Sequence, residues 1–275
     1  MLYVYDRNMP EDITDNLPTV YKPTLREELQ SKDGLDRIIF VLGGTMTGYL
    51  ILSFWVVFFI QFILYQLFIG PIVINSNPVE VSALWSSIFT IQDGMELYLW
   101  TYITSIFSHG GVIHVLLNSI VLFSFGLVIE NDIGRKRLFK FFVIAGLVSG
   151  ISQLLAVNLA DLGLLPIYDM SREFMFLGAS GAISGIIGMV VVKVPNIEAK
   201  IIFFPFFEFK LLSGIIVFIL GSMSLVLYFG VGAFSIAHIA HVSGILFGML
   251  YGFKEYDRKR IKTTLRSYID TLSSV

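Results

Sequence analysis

Six apolar stretches free of charged residues set the organisation of this chain. Ile38–Ile74 is the first, with a helix predicted to stop near Ile69, before Gly70-Pro71. Val112–Ile129 and Phe141–Leu159 follow, then the shorter Ala179–Val192. Leu211–Phe234 and Ser235–Phe253 are the last two, parted by Phe229-Gly230-Val231-Gly232. A helix needs about 20 residues to cross a bilayer. The fourth stretch is too short for that, so it is expected to start below one surface, inside a ring of protein that shields its end.

The 275 residues are 55% hydrophobic and 15% charged, more apolar surface than a soluble domain of this length can hide. Cysteine is absent, which removes disulfides, thiolate catalysis and Cys-based metal sites. The first apolar run starts too far from the N-terminus for a cleaved signal and is expected to be a retained span. With a cytoplasmic N-terminus and six spans, every Lys and Arg of the 19 except Arg172 falls on the inner side. The first external loop carries Glu80, Asp93 and Glu96 and no basic residue. The positive-inside rule supports this topology, and an odd number of spans would break it.

The expected domains are a cytoplasmic tail over 1–37, a six-helix membrane domain over 38–253, and a basic cytoplasmic tail over 254–275. In the first external loop, Leu84-Trp85, Leu97, Leu99-Trp100, Tyr102 and Ile106-Phe107 are spaced like helices lying in the interface. In the last tail, Ile261, Leu265, Tyr268 and Leu272 share a helical face beside Lys259, Arg260 and Arg266. That tail is expected to lie on the inner surface as an amphipathic helix, the alternative being a frayed polar tail.

Polar residues at bilayer depth are costly and are read first as functional. Ser180 opens the fourth span, and His241 lies in the sixth, roughly 9 Å below the outer surface at 1.5 Å per residue. His114 and, one turn deeper, Asn118 lie at similar depth in the second span. Gly181-x-x-x-Gly185 and Gly244-x-x-x-Gly248 flank the serine and the histidine, and such spacing lets helices approach closely in lipid. Close packing there brings the Ser180 hydroxyl within reach of the His241 imidazole, as a nucleophile and its base require. His114, the Asn118 amide and the Ser180 backbone N–H are then available to an oxyanion. No Asp or Glu lies in any apolar run, so this is a two-residue site whose histidine must be oriented by packing.

Bland readings stand beside these. Ser180 is also a small residue at a helix start, and His241, His114 and Asn118 are also inter-helix hydrogen-bonding groups. Ser184 is read as packing, and His109 and His238 as residues at span mouths near water. A zinc site built from His109, His114, His238 and His241 lacks an HExxH motif or a carboxylate ligand.

Jointly, Gly178-x-Ser180-Gly181, Ala240-His241-x-x-Gly244-x-x-x-Gly248 and His109-x4-His114-x3-Asn118, with Glu130 and Gly134-Arg135, resemble the rhomboid intramembrane serine proteases over Leu84–Phe253. The resemblance implies an all-α, polytopic, six-transmembrane-helix bundle. It implies Ser180 and His241 as the catalytic pair, with His114 and Asn118 as oxyanion support. Gly178, Gly181, Gly185, Gly244 and Gly248 are expected to pack helices. Two positions depart from the family pattern: Trp100-Thr101 stands where many members have Trp-Arg, and Ser184 stands where an aromatic is frequent.

The implied substrates are single-pass transmembrane proteins with helix-destabilising residues near the cut and a small residue before it. They would enter laterally from the bilayer, while water arrives from the outer face. No cofactor, metal, nucleotide or nucleic acid is implied, and the oligomeric state is left open. The expected setting is a cell membrane, with both termini cytoplasmic. The alternatives are a catalytically silent relative that binds membrane proteins, and a transporter with a His/Asn-lined cavity.

Overall fold

The computed structural model describes residues 25–69, 88–92, 98–164, 175–194, 198–201, 204–210, 214–216 and 237–273. Eight helices are named here among them: α1 (Leu25–Gln30), α2 (Gly34–Gly44), α3 (Met46–Leu64, continued by a π turn over Tyr65–Ile69), α4 (Thr101–Phe107), α5 (Val112–Ile133), α6 (Arg135–Asp161), α7 (Ser180–Lys193) and α8 (His238–Ser273). Among the described residues, three helical stretches, Met46–Leu67, Val112–Ile133 and Arg135–Ala160, are long and apolar enough to cross a membrane. The fifth apolar run, apart from 214–216, and the loop around Leu84-Trp85 and Leu97 lie outside the described residues.

Among the described residues, two short antiparallel pairs accompany the helices. β1 (Ile91–Gln92) pairs with β2 (Met175–Phe176) and fastens the first loop to the segment entering α7. β3 (Glu198–Ile201) pairs with β4 (Phe204–Lys210) in a hairpin on the connection after α7, with an irregularity at Lys200/Ile201.

The 14-residue α7 is the axis of the bundle. Every residue from Gly181 to Val191 except Ile187 is buried, with α5, α6 and α8 around it. This is the protein ring that a short intramembrane helix requires. Its closest neighbour is α8, and glycine makes that contact possible. A Cβ on Gly244 would run into the Gly181 carbonyl, one on Gly248 into the Gly185 carbonyl, and one on Gly188 into the Ile245 carbonyl. Backbone therefore lies on backbone, the geometry that small residues permit between membrane helices.

The first apolar run differs from its expected single span: it is broken at Thr45. Thr45 is extended (φ −124°, ψ 158°), and its Oγ1 accepts from the Gly48 N–H at 2.9 Å as the cap of α3. The reason for the break lies in α5. The Glu130 carboxylate, 2% exposed, accepts from the Met46 N–H at 2.7 Å, the Thr47 N–H at 2.8 Å and the Thr47 hydroxyl at 2.7 Å. A helix start leaves backbone donors unpaired and carries partial positive charge, so a buried carboxylate there is satisfied on both counts. Arg135, 4.0 Å from the same carboxylate, also stacks over the Tyr49 ring.

Ion pairs tie the same end of the bundle: Lys193 at the end of α7 with Asp132 in α5, and Arg137 in α6 with Glu255 in α8 at 2.7 Å. The C-terminal tail is helical and is the continuation of α8, 36 residues without a break. No Gly or Pro follows Gly252, so nothing in the sequence stops the helix. At 1.5 Å per residue α8 runs about 54 Å, well beyond a hydrocarbon core of about 30 Å.

Three substitutions test this architecture by thermal unfolding in detergent. Glu130→Ala strands three donors and is expected to cost about 3 kcal/mol; an unchanged midpoint contradicts the role given to the carboxylate. Gly248→Ala should cost about 1–3 kcal/mol through overpacking. Gly43→Ala, where a Cβ meets nothing within 4 Å, should be neutral or stabilising.

Candidate active site

Ser180 is the first residue of α7, and the chain reaches it through Gly178 and Ala179. Gly178 has φ +119°, a conformation that favours glycine, and its N–H donates to the Ser105 carbonyl at the end of α4 at 2.8 Å. A Cβ there would sit 2.7 Å from His114 Cε1 and 2.9 Å from His114 Nε2. The motif led to the expectation that Gly178 packs helix on helix, and its contact is of another kind. It lies before the helix and lets the backbone press against the His114 ring.

His241 stands opposite. Its Nε2 is 2.7 Å from Ser180 Oγ, although 61 residues separate the two in sequence. Because α8 starts at His238, His241 occupies the first turn of its helix rather than a position six residues in. Its own N–H makes an early rung of the helical ladder, donating to the Ala237 carbonyl at 3.1 Å. The preceding N–H, of Ala240, donates instead to Gln153 Oε1 of α6 at 3.0 Å.

Asn118 reaches the same place from α5. Its Nδ2 is buried, lies 3.8 Å from where a Gly178 Cβ would be, and has no acceptor among the described residues. Asn118, Ser180, Ser184 and His241 all face one cavity of about 350 Å³ between α5, α7, α8 and Gly214–Ile215. The rest of its wall is apolar, including Leu117, Val121, Ile187 and Ile245. Ser184, read from sequence as packing, is buried and also borders this cavity.

His109 and His238 depart from their expected place at watery mouths, since both are buried. His109 is covered because its N–H donates to Gln61 Oε1 of α3 at 3.1 Å and its ring packs on Phe54, with centroids 5.1 Å apart. It also meets the His114 ring nearly edge-on at 5.1 Å, so it buttresses a residue singled out for chemistry. His238 begins α8, one turn before His241, where the helix packs against α7. Where the family pattern has Trp-Arg, Trp100 stacks on Tyr98 at 5.0 Å, and the buried Thr101 hydroxyl donates to the Tyr98 carbonyl at 2.7 Å.

Sequence reasoning missed the polar residues of α6. Ser149 and Gln153 are four apart in the third apolar run, so they share a helical face, and both are buried. Ser149 Cβ is 2.6 Å from where a Gly181 Cβ would be, and its Oγ 2.8 Å from that of Gly244. The available signal was the i, i+4 pair of polar side chains in an otherwise apolar run. Among the described residues, no group of three or more His, Asp or Glu is disposed to hold a metal ion.

Chemically, a hydroxyl and an imidazole nitrogen 2.7 Å apart are within range for proton transfer. The N-terminus of α7 adds positive potential at the hydroxyl. Amide and imidazole donors stand on the side of α5.

The Rhomboid domain family model matches residues 96–258, more than half of the chain. Presenilin-associated rhomboid-like protein, mitochondrial, of Rattus norvegicus is 30% identical over 167 residues, 59% of this chain and 40% of that protein. The Homo sapiens protein of the same name is 30% identical over 166 residues, with the same shares. Rhomboid protease GlpG of Haemophilus influenzae is 29% identical over 169 residues, 61% of this chain and 74% of that protein. The chain thus spans less than half the length of the mitochondrial relatives. With its membrane-spanning helices and the matched domain, it is an integral membrane protein that belongs to the Rhomboid family.

Proposed function

We propose that this chain is an intramembrane serine endopeptidase that hydrolyses peptide bonds in or near the transmembrane segments of other membrane proteins. The observation that carries this reading is the 2.7 Å contact between Ser180 Oγ and His241 Nε2 at the head of a shielded helix. The name of the Haemophilus influenzae relative, a rhomboid protease, supports it.

In this reading His241 Nε2 takes the Ser180 proton as Oγ attacks the scissile carbonyl. The oxyanion that forms is met by the Ser180 backbone N–H, the Asn118 amide and His114, in a site where fixed donors act strongly. His241 then gives its proton to the leaving amine. Water, deprotonated by the same ring, hydrolyses the acyl-enzyme and frees Ser180. The substrate segment lies against the apolar wall of the cavity. The basic-residue distribution supports both termini being cytoplasmic and the site facing the outer side of a cell membrane. The membrane domain is assigned to 38–253, with tails over 1–37 and 254–275.

The test is a fluorophosphonate probe and a model single-pass substrate added to the purified protein in lipid. Wild type should label and cleave with or without chelator. Ser180→Ala and His241→Ala should lose at least about 10³-fold in cleavage, and Asn118→Ala about 10²-fold. A folded wild type that neither labels nor cleaves overturns the protease reading in favour of a catalytically silent relative. Cleavage that survives in Ser180→Ala rules out the nucleophile.

A further inference from the structure

The sequence contains no carboxylate in the apolar runs to orient His241, so its orientation must come from elsewhere. The first turn of a helix has backbone N–H groups that no carbonyl of that helix can accept. In α8, Ala240 carries one of them, immediately before His241. Its acceptor, Gln153 Oε1 at 3.0 Å, belongs to a side chain that is 0% exposed, so water does not compete for the bond. One turn earlier on α6, Ser149 abuts Gly181, the residue after Ser180, and Gly244, the residue three after His241. A single helix thus touches both segments that carry the pair.

We propose that Gln153 is a positioning residue for His241. By accepting the Ala240 N–H it fixes the rotation and height of the first turn of α8, and with them the approach of His241 Nε2 to Ser180. It touches no reacting atom. The work that an acid does on the imidazole in a three-residue site is done here on the backbone, one residue upstream. The proposal rests on the protease reading for its kinetic consequence, but the bond itself can be tested without activity.

Three variants of the full chain in lipid separate the possibilities. Gln153→Met keeps the length of the side chain and removes the oxygen. Gln153→Glu keeps an oxygen acceptor. Arg137→Gln cuts another tie between α6 and α8, the ion pair with Glu255 far from His241. In wild type the Ala240 amide should exchange with deuterium as slowly as the amides inside the α8 ladder, and in Gln153→Met much faster.

Gln153→Met should lower kcat and the plateau of the pH profile for fluorophosphonate labelling by about 10- to 100-fold, as expected for a misplaced base. KM should stay within about twofold, and Gln153→Glu should recover most of the rate. Arg137→Gln should lower the thermal midpoint and leave labelling unchanged. Fast exchange of Ala240 in wild type overturns the cap, even if no variant folds. Wild-type labelling in folded Gln153→Met overturns the positioning role, as does a loss in Arg137→Gln that matches its loss of stability. If wild type shows no Ser180-dependent labelling, the protease reading and this kinetic role fall together, while the exchange result still judges the cap.

Discussion

The contact of α7 with α8 is the constraint on which everything else rests. At its centre no side chain adjusts the fit, because Gly181, Gly185 and Gly188 of α7 meet Gly244, Ile245 and Gly248 of α8 through backbone atoms. Such an interface has one depth and one register. A shift by a turn would move the Ser180 hydroxyl about 5 Å from the imidazole it now meets. The polar pair is therefore placed by residues that have no chemistry of their own. In lipid, where apolar burial does not drive helices together, close backbone contact is also a main source of attraction between them.

Around this contact, the remaining helices act as stops. From α5 come Asn118 and His114, the latter held between Gly178 and His109. From α6 come Ser149 and Gln153, one against the glycines and one on the Ala240 amide. At the other end, Lys193–Asp132 and Arg137–Glu255 join the same helices where charges belong. The polar groups thus fall into two tiers, one around Ser180 and one at the opposite end, with apolar packing between.

Much of this was legible in the sequence, for identifiable reasons. Charge-free runs mark spans because lipid excludes charge, and the glycine spacing beside Ser180 and His241 announced which helices touch. The break at Thr45 was not legible, since its cause is a carboxylate more than 80 residues away. The continuity of α8 past Lys254 was hidden for a different reason. A change from apolar to basic residues marks a membrane boundary but does not end a helix. His109 was misjudged because burial is decided by neighbours, here Gln61 and Phe54 from another helix. Gln153 was less legible because a neutral amide and a serine four residues apart in an apolar run match no catalytic motif.

The Glu130 contact has a consequence in time. The Met46 amide precedes its acceptor by 84 residues, and at a synthesis rate of about 5–20 residues per second the carboxylate is made on the order of ten seconds later. For that interval the first turn of α3 has no buried partner. The local part of the break at Thr45, its cap on the Gly48 N–H, can form early, while the carboxylate part is added only when α5 arrives. The N-terminal half of this bundle is thus completed by its middle, and a chain interrupted before residue 130 lacks the acceptor of the Met46 and Thr47 N–H groups.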